Sequence, residues 1–134
     1  MPKFIVEAVD DGVVTLRAPG TNYCNSFVFH GDPSSLTVGA RVRGTIHAPA
    51  WKVDRVELGG NYVEPLFGRP RRMQGTILSA DNVRNELTVQ VGYEATVKLP
   101  ASLNANAFKP GERIGWDNIE MPTFQPAAVP AVAH

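Results

Sequence analysis

Three residues of the kind that nucleophilic catalysis uses lie close together in the first half of the chain. Cys24, His30 and Asp32 would supply a thiol, a general base and a carboxylate to orient the base. His30-Gly31-Asp32 is, however, typical of a turn, and no glycine-flanked nucleophile, His-Glu-x-x-His or phosphate-binding loop occurs in the sequence. The histidines and the single cysteine lack the spacing of zinc ligands. We therefore predict a non-catalytic protein with no catalytic residue, no metal site and no cofactor.

A second group of residues could bind an anion. Residues 40–48 and 52–58 are predicted to form two strands of a hairpin, with Ala48-Pro49-Ala50-Trp51 at its tip. A basic sheet face beside an aromatic ring is how OB folds bind single-stranded nucleic acid. The alternative is an ordinary solvated face, on which nearby acidic residues offset the charge. The candidate residues on this hairpin are Arg41, Arg43, His47, Trp51, Lys52 and Arg55.

A third group lies where the two halves of the chain meet. Arg69, Arg71 and Arg72 place three guanidiniums within four residues. Such a cluster could hold a phosphate or an acidic partner. The alternative is a proline-stiffened connector whose arginines pair with acidic residues of the adjoining strands.

Composition limits the classes of function. The 134 residues include 13 basic and 13 acidic ones, so the formal net charge is zero, which argues against a dedicated nucleic-acid binder. One cysteine allows no internal disulfide and fits a reducing compartment. No secretory signal and no apolar run of membrane-spanning length is seen. We expect a cytoplasmic protein that does not associate with a membrane.

Glycine, proline and β-branched residues indicate the strands and turns on which these groups lie. Asp11-Gly12 and Gly92-Tyr93 each join two short apolar runs and predict tight hairpins. Alternation places Leu87 and Val89 on a dry face, as an antiparallel sheet around a core requires. The predicted fold class is all-β. The predicted strands are 3–9, 12–18, 26–30, 40–48, 52–58, 72–80, 85–91, 94–99 and 112–118.

The chain also repeats itself. Residues 27–44 and 95–115 share a Pro-x-Ser-Leu segment and a glycine turn that leads into a strand, and Phe67 and Phe124 occupy matching places after them. This pattern predicts an internal duplication that gives two tandem small OB-like β-barrels packed together. The alternative is one interleaved barrel with pseudo-two-fold symmetry, in which the copies exchange strands. The predicted domains are a first repeat with an extra hairpin (1–67), a second repeat (68–124) and an extended Pro/Ala-rich tail (125–134).

The second repeat resembles a known kind of barrel. Its order of strand, turn, strand, Pro-x-x-Leu, short helical stretch and Lys109-Pro110-Gly111-Glu112-Arg113-Ile114 is similar to that of the TOBE and Mop families, mainly over residues 73–124. That resemblance implies binding of a small ligand or regulation of a partner, without catalysis. The Ser-Ala-Arg-Asn stretch of the Mop pattern is replaced here by Gly68-Arg69-Pro70-Arg71-Arg72, so no site residue of the family is carried over.

These observations together predict a non-catalytic binding or interaction module whose ligand the sequence does not name. Single-stranded nucleic-acid binding through the basic sheet face is one alternative, and small-anion binding of the Mop kind is another. The partner is left open between a protein and a second copy of the chain. Unpaired sheet edges favour self-association, so we expect a homo-oligomer.

Overall fold

A computed structural model describes residues 1–127 of the chain. Over this range the protein is all-β, as predicted. The only helical segments among residues 1–127 are two 3₁₀ turns, Pro33–Ser35 and Ala105–Ala107, and no helix in this range is long and apolar enough to span a membrane. The eleven strands of the described range are β1 (Lys3–Asp10), β2 (Val13–Arg17), β3 (Cys24–Val28), β4 (Arg41–Arg55), β5 (Tyr62–Glu64), β6 (Phe67–Gly68), β7 (Arg72–Asp81), β8 (Glu86–Gln90), β9 (Glu94–Lys98), β10 (Arg113–Asn118) and β11 (Thr123–Pro126).

The local elements follow the sequence pattern. β1 and β2 form a hairpin around Gly12, whose φ of +79° is the left-handed conformation that the turn needs. β8 and β9 form a second hairpin around Gly92. Leu87 and Val89 are fully buried, and Thr88 between them is partly exposed. Both predicted hairpins and the predicted dry face are therefore confirmed.

All eleven strands belong to one sheet, which closes on itself through β4. One circuit of neighbouring strands runs β1, β2, β3, β11 and β4, and β4 pairs back to β1. The other runs β4, β10, β7, β8 and β9, and β9 pairs back to β4. A single long strand therefore serves both circuits.

The pairings cross the predicted boundary after residue 67. β4 lies parallel to β9, with Ile46 opposite Ala95, and antiparallel to β10. β11 lies antiparallel to β4, with Phe124 opposite Ile46, and touches β3 in parallel. Each circuit is thus completed by a strand from the other half of the chain. Of the predicted tail, Gln125 and Pro126 belong to β11, while residues 128–134 lie outside the described range.

The predicted extra hairpin is wrong, because residues 41–55 form one strand. Alternate burial continues without a break from Gly44 through Ala50, so the chain does not turn at Pro49. The segment contains no glycine, asparagine or aspartate at the proposed tip, and a tight turn favours those residues. The strand instead bends at a bulge: Lys52 has φ +50°, and two residues there oppose the single residue Trp116 of β10.

One hydrophobic core spans both circuits. The ring centroid of Phe4 lies 5.6 Å from that of Tyr93 and 6.0 Å from that of Phe124, so aromatic residues of β1, the β8–β9 turn and β11 meet in one place. Phe124 is buried, but Phe67 is 67% exposed although the sequence aligns the two residues. A match in sequence therefore does not give these two rings the same environment.

Candidate functional site

The outer face of β4 carries four of the predicted site residues. Side chains at alternate positions of a strand point to one face, and here the inward positions include the buried Ile46, Ala48 and Ala50. The outward positions before the bulge form a continuous row that we call the β4 strip. The β4 strip consists of Arg41, Arg43, Thr45, His47, Pro49 and Trp51.

One end of the β4 strip is cationic. Lys3 of β1 lies directly opposite Arg43, and Arg41 follows two residues away; all three residues are exposed. Within residues 1–127, none of the three has a carboxylate within 4.0 Å, whereas Arg17 and Arg55 each have one. The cationic charge at this end is therefore available to an external anion.

The middle of the β4 strip is polar and lies beside a groove. His47 Nε2 hydrogen-bonds to Gln125 Oε1 at 3.1 Å, which ties β4 to β11 on the outer face. Thr45 and His47 line one wall of an open groove of about 430 Å³, and Asp81 and Glu86 line another part of it. Arg84 also lines the groove, so the groove carries charges of both signs and extends the polar surface of the β4 strip.

Of the two other predicted residues of β4, Lys52 lies at the bulge and Arg55 lies beyond it. They are not on an opposing strand, as the hairpin would have required. Lys52 is exposed at the bulge itself. The Arg55 guanidinium contacts Glu112 Oε2 at 2.6 Å, donates to the carbonyl of Ala107 and stacks 4.5 Å from the centre of the Phe108 ring. Arg55 is thus held by the segment that precedes β10.

The three arginines of the connector do not all lie on one strand. Arg69 and Arg71 are exposed, and Arg71 uses its backbone to pair with Glu64 and Asn118. Arg72 begins β7, and its Nη1 lies 3.2 Å from Asp117 Oδ1. Partial burial lowers the pKa of Arg72, but hydrogen bonds to Tyr62 and Asp117 raise it, and the net shift is upward. This pair fits the structural alternative for Arg72.

The residues with catalytic chemistry are kept apart. Cys24 begins β3, while His30 follows the end of that strand, so the two are separated by the strand's length, about 13 Å at about 3.3 Å per residue. Partial burial and the charge of Glu7 raise the pKa of the Cys24 thiol, which disfavours the thiolate that would attack. Asp32 accepts a hydrogen bond from the amide of Ser34 at 2.9 Å and caps the first 3₁₀ turn. Its hydrogen bonds with Ser34 lower the pKa of Asp32.

Lys3 is the residue of the cationic end that the sequence did not predict. It lies 38 positions before Arg41, and only the antiparallel register of β1 against β4 brings the two together. The signal for it was local: Lys3 precedes the buried Phe4 in an alternating strand, which places it on the outer face. The neighbouring strand could not be identified from that alternation.

A search of protein-family models, of curated proteins and of solved structures found no match to this chain. The resemblance to TOBE and Mop barrels accordingly stays a prediction. The chemistry of the β4 strip can still be stated from its groups. Two guanidiniums and an ammonium would neutralise phosphates at one end, and the exposed indole of Trp51 would offer a stacking face at the other.

Proposed function

We propose that this protein is a non-catalytic binding module and that the β4 strip holds an extended polyanion, single-stranded nucleic acid being the class that fits best. The observation that carries the proposal is the exposed cluster of Lys3, Arg41 and Arg43, which lacks a carboxylate partner within residues 1–127. An exposed basic row leading to an aromatic ring suits a backbone of phosphates with attached bases.

The zero net charge does not oppose this proposal. Binding to nucleic acid depends on how many phosphates are neutralised at the contact surface, and a local cluster of cations can neutralise them. Glu7 and Glu112 are each paired with an arginine, Arg17 or Arg55, so their charges are offset where they lie. Within residues 1–127, the cations at the end of β4 have no carboxylate within 4.0 Å, and they attract an anion over about one Debye length, which is about 8 Å at physiological salt.

We also infer that the two halves arose by duplication and exchange strands, which is the interleaved form of the predicted barrel. The two glycine turns support it with matching hydrogen bonds: Gly39 N donates to Val6 O at 2.7 Å, and Gly111 N donates to Ile77 O at 2.8 Å. Both glycines are left-handed, at φ +87° and +92°. In each half, the strand residue also donates to the residue after the glycine. Val6 N donates to Ala40 O at 2.9 Å, and Ile77 N donates to Glu112 O at 2.8 Å.

The binding proposal is tested by fluorescence anisotropy with a labelled single-stranded oligonucleotide over a range of salt concentrations. The wild-type protein should bind at low salt, with an affinity that falls linearly on a logarithmic plot. The double variant Arg41→Ala/Arg43→Ala should bind more weakly. Its slope should be smaller by about 1.4, because each phosphate contact on a single strand contributes about 0.7.

A matched control removes one cation elsewhere. Lys109 is exposed and lies outside both the β4 strip and the arginine cluster of the connector. Lys109→Ala should keep the wild-type slope, whereas Arg41→Ala alone should reduce it by about 0.7. Equal losses in these two single variants would mean that only net charge matters, and no retention of the oligonucleotide at low salt would reject the proposed function.

A further inference from the structure

Trp51 is the one tryptophan of this chain that a ligand can reach. The sequence contains two tryptophans, and Trp116 is fully buried, with its Nε1 donating to Asn118 Oδ1 at 2.9 Å. Trp51 is 52% exposed and ends the β4 strip. A large apolar ring with an open face is a typical feature of surfaces that stack planar groups.

The surroundings of Trp51 favour an uncharged planar group over a phosphate. Asp117 of β10 lies directly opposite Trp51 in the sheet, and its carboxylate is bound to Arg72. Ile119 is 61% exposed, and its amide donates to Pro49 O at 3.0 Å, so it extends the apolar surface beside the ring. Because Arg72 offsets the charge of Asp117, this carboxylate is compatible with a neutral base nearby but does not attract a phosphate.

The two ends of the β4 strip are far apart. Arg43 and Trp51 are eight residues apart on one strand, which corresponds to about 26 Å at about 3.3 Å per residue. A mononucleotide cannot reach from one end to the other. A strand of several nucleotides can, in keeping with site sizes of roughly 4–16 nucleotides per OB-type unit.

This inference rests on the proposed function: we propose that the β4 strip binds a single strand with its phosphates at Lys3, Arg41 and Arg43 and an unpaired base stacked on Trp51. A duplex does not satisfy this arrangement, because its bases are stacked on one another and must be unpaired before a ring can reach them. The structure therefore assigns selectivity to Trp51 and general affinity to the arginines.

The experiment titrates the full chain with an unlabelled oligothymidylate and follows intrinsic tryptophan fluorescence. Because Trp116 is buried, quenching that saturates should report on Trp51 alone. A blunt duplex of the same length should bind through its phosphates with little quenching. In parallel anisotropy measurements, Trp51→Ala should weaken single-strand binding by about tenfold, since stacking on one aromatic ring is worth that order. Trp51→Phe should recover most of the loss.

Two further measurements decide the outcome. Val83 is 96% exposed in the turn between β7 and β8, so Val83→Ala is a matched removal of exposed apolar surface that should not change the affinity. Binding that depends on Arg41 and Arg43 but causes no quenching and ignores Trp51→Ala would overturn this inference and leave the proposed function standing. Equal quenching by single strand and duplex would also overturn it. No binding at low salt would reject both.

Discussion

The phenol of Tyr93 donates a hydrogen bond to Asn25 Oδ1 at 3.0 Å, and the two residues are separated by 68 positions in sequence. The Asn25 amide is fully buried, and its Nδ2 donates to the carbonyls of Pro65 and Gly68, both at 3.1 Å. One side chain of β3 therefore holds the β8–β9 turn on one side and the connector between the two halves on the other.

Removing the hydroxyl of Tyr93 should destabilise the protein without changing its fold. Tyr93→Phe leaves Asn25 Oδ1 buried without its donor, which should lower the free energy of unfolding by about 1–3 kcal/mol. Urea denaturation monitored by the fluorescence of the buried Trp116 measures the loss. Asn25→Ala should cost more, because it also frees the carbonyls of the connector.

Tyr23→Phe provides the comparison for that pair. The Tyr23 hydroxyl accepts a hydrogen bond from the amide of Val63 at 3.2 Å, but Tyr23 is only half-buried, so water can replace it. Its loss should be about 0.5–1.5 kcal/mol. A Tyr93→Phe variant no less stable than Tyr23→Phe would contradict the structural role given to the Tyr93–Asn25 bond.

The same phenol should make stability fall at alkaline pH. Burial, together with the nearby Tyr23, raises the pKa of Tyr93 above its usual value of about 10. Above pH ~10 the unfolded chain loses the Tyr93 proton, which the folded chain keeps. The stability that protonated Tyr93 contributes is therefore fully present below pH ~10 and is lost as the pH rises further. Urea midpoints on both sides of pH ~10 should fall less steeply in Tyr93→Phe than in the wild-type protein.

The second half of the chain should not fold alone. A fragment of residues 68–134 lacks β4, which lies between β9 and β10 and pairs with both. Without it, two strand edges and the apolar faces of β9 and β10 would be exposed to water. Circular dichroism and urea titration should show no cooperative unfolding. A fragment that unfolds cooperatively would rule out the interleaved arrangement, and mixing it with residues 1–67 should restore folding if the arrangement is correct.

Two glycines mark places where the strands pack too closely for any side chain. A Cβ on Gly75 would collide with the backbone carbonyl of Gln90, and one on Gly44 would collide with the Phe124 ring and the backbone of Gln125. Gly75→Ala and Gly44→Ala should each lower stability by about 1–3 kcal/mol. Gly60 has open space around it, and Gly60→Ala should change stability by less than about 0.5 kcal/mol.

The Gly44→Ala variant should disturb one strand in particular. In Gly44→Ala the loss should be concentrated at β11, because that strand carries both groups with which the new methyl would collide. Hydrogen exchange should therefore accelerate at the amides that join β11 to β4 and remain protected in the β8–β9 hairpin. Uniform loss of protection would mean that β11 is not a separable part of the sheet.

The bulge in β4 depends on the left-handed conformation of Lys52. A β-branched residue there should be strained, so Lys52→Val should lower stability by about 1–2 kcal/mol, while Lys52→Gly should be neutral or stabilising. Lys3→Val removes a lysine from an exposed strand position with ordinary geometry and should change stability by less than about 0.5 kcal/mol. Equal stability of Lys52→Val and Lys52→Gly would contradict the bulge.

The elements that have a local cause could be predicted from the pattern of residues. Alternating burial follows from the two-residue period of a strand, and the turn at Gly12 follows from the positive φ that glycine adopts at little cost. For the same reason the outward placement of Arg41, Arg43 and His47 could be predicted: each position depends only on its neighbours along one strand.

Which strands are neighbours could not be predicted from local patterns. The continuity of β4, the insertion of β11 beside it, the approach of Lys3 to Arg43 and the bond from Tyr93 to Asn25 all join distant parts of the chain. Backbone hydrogen bonds between strands carry no side-chain identity, so many pairings satisfy the same local pattern. The choice among these pairings depends on how much apolar surface of the whole chain becomes buried. That buried area is defined only when both halves have packed together.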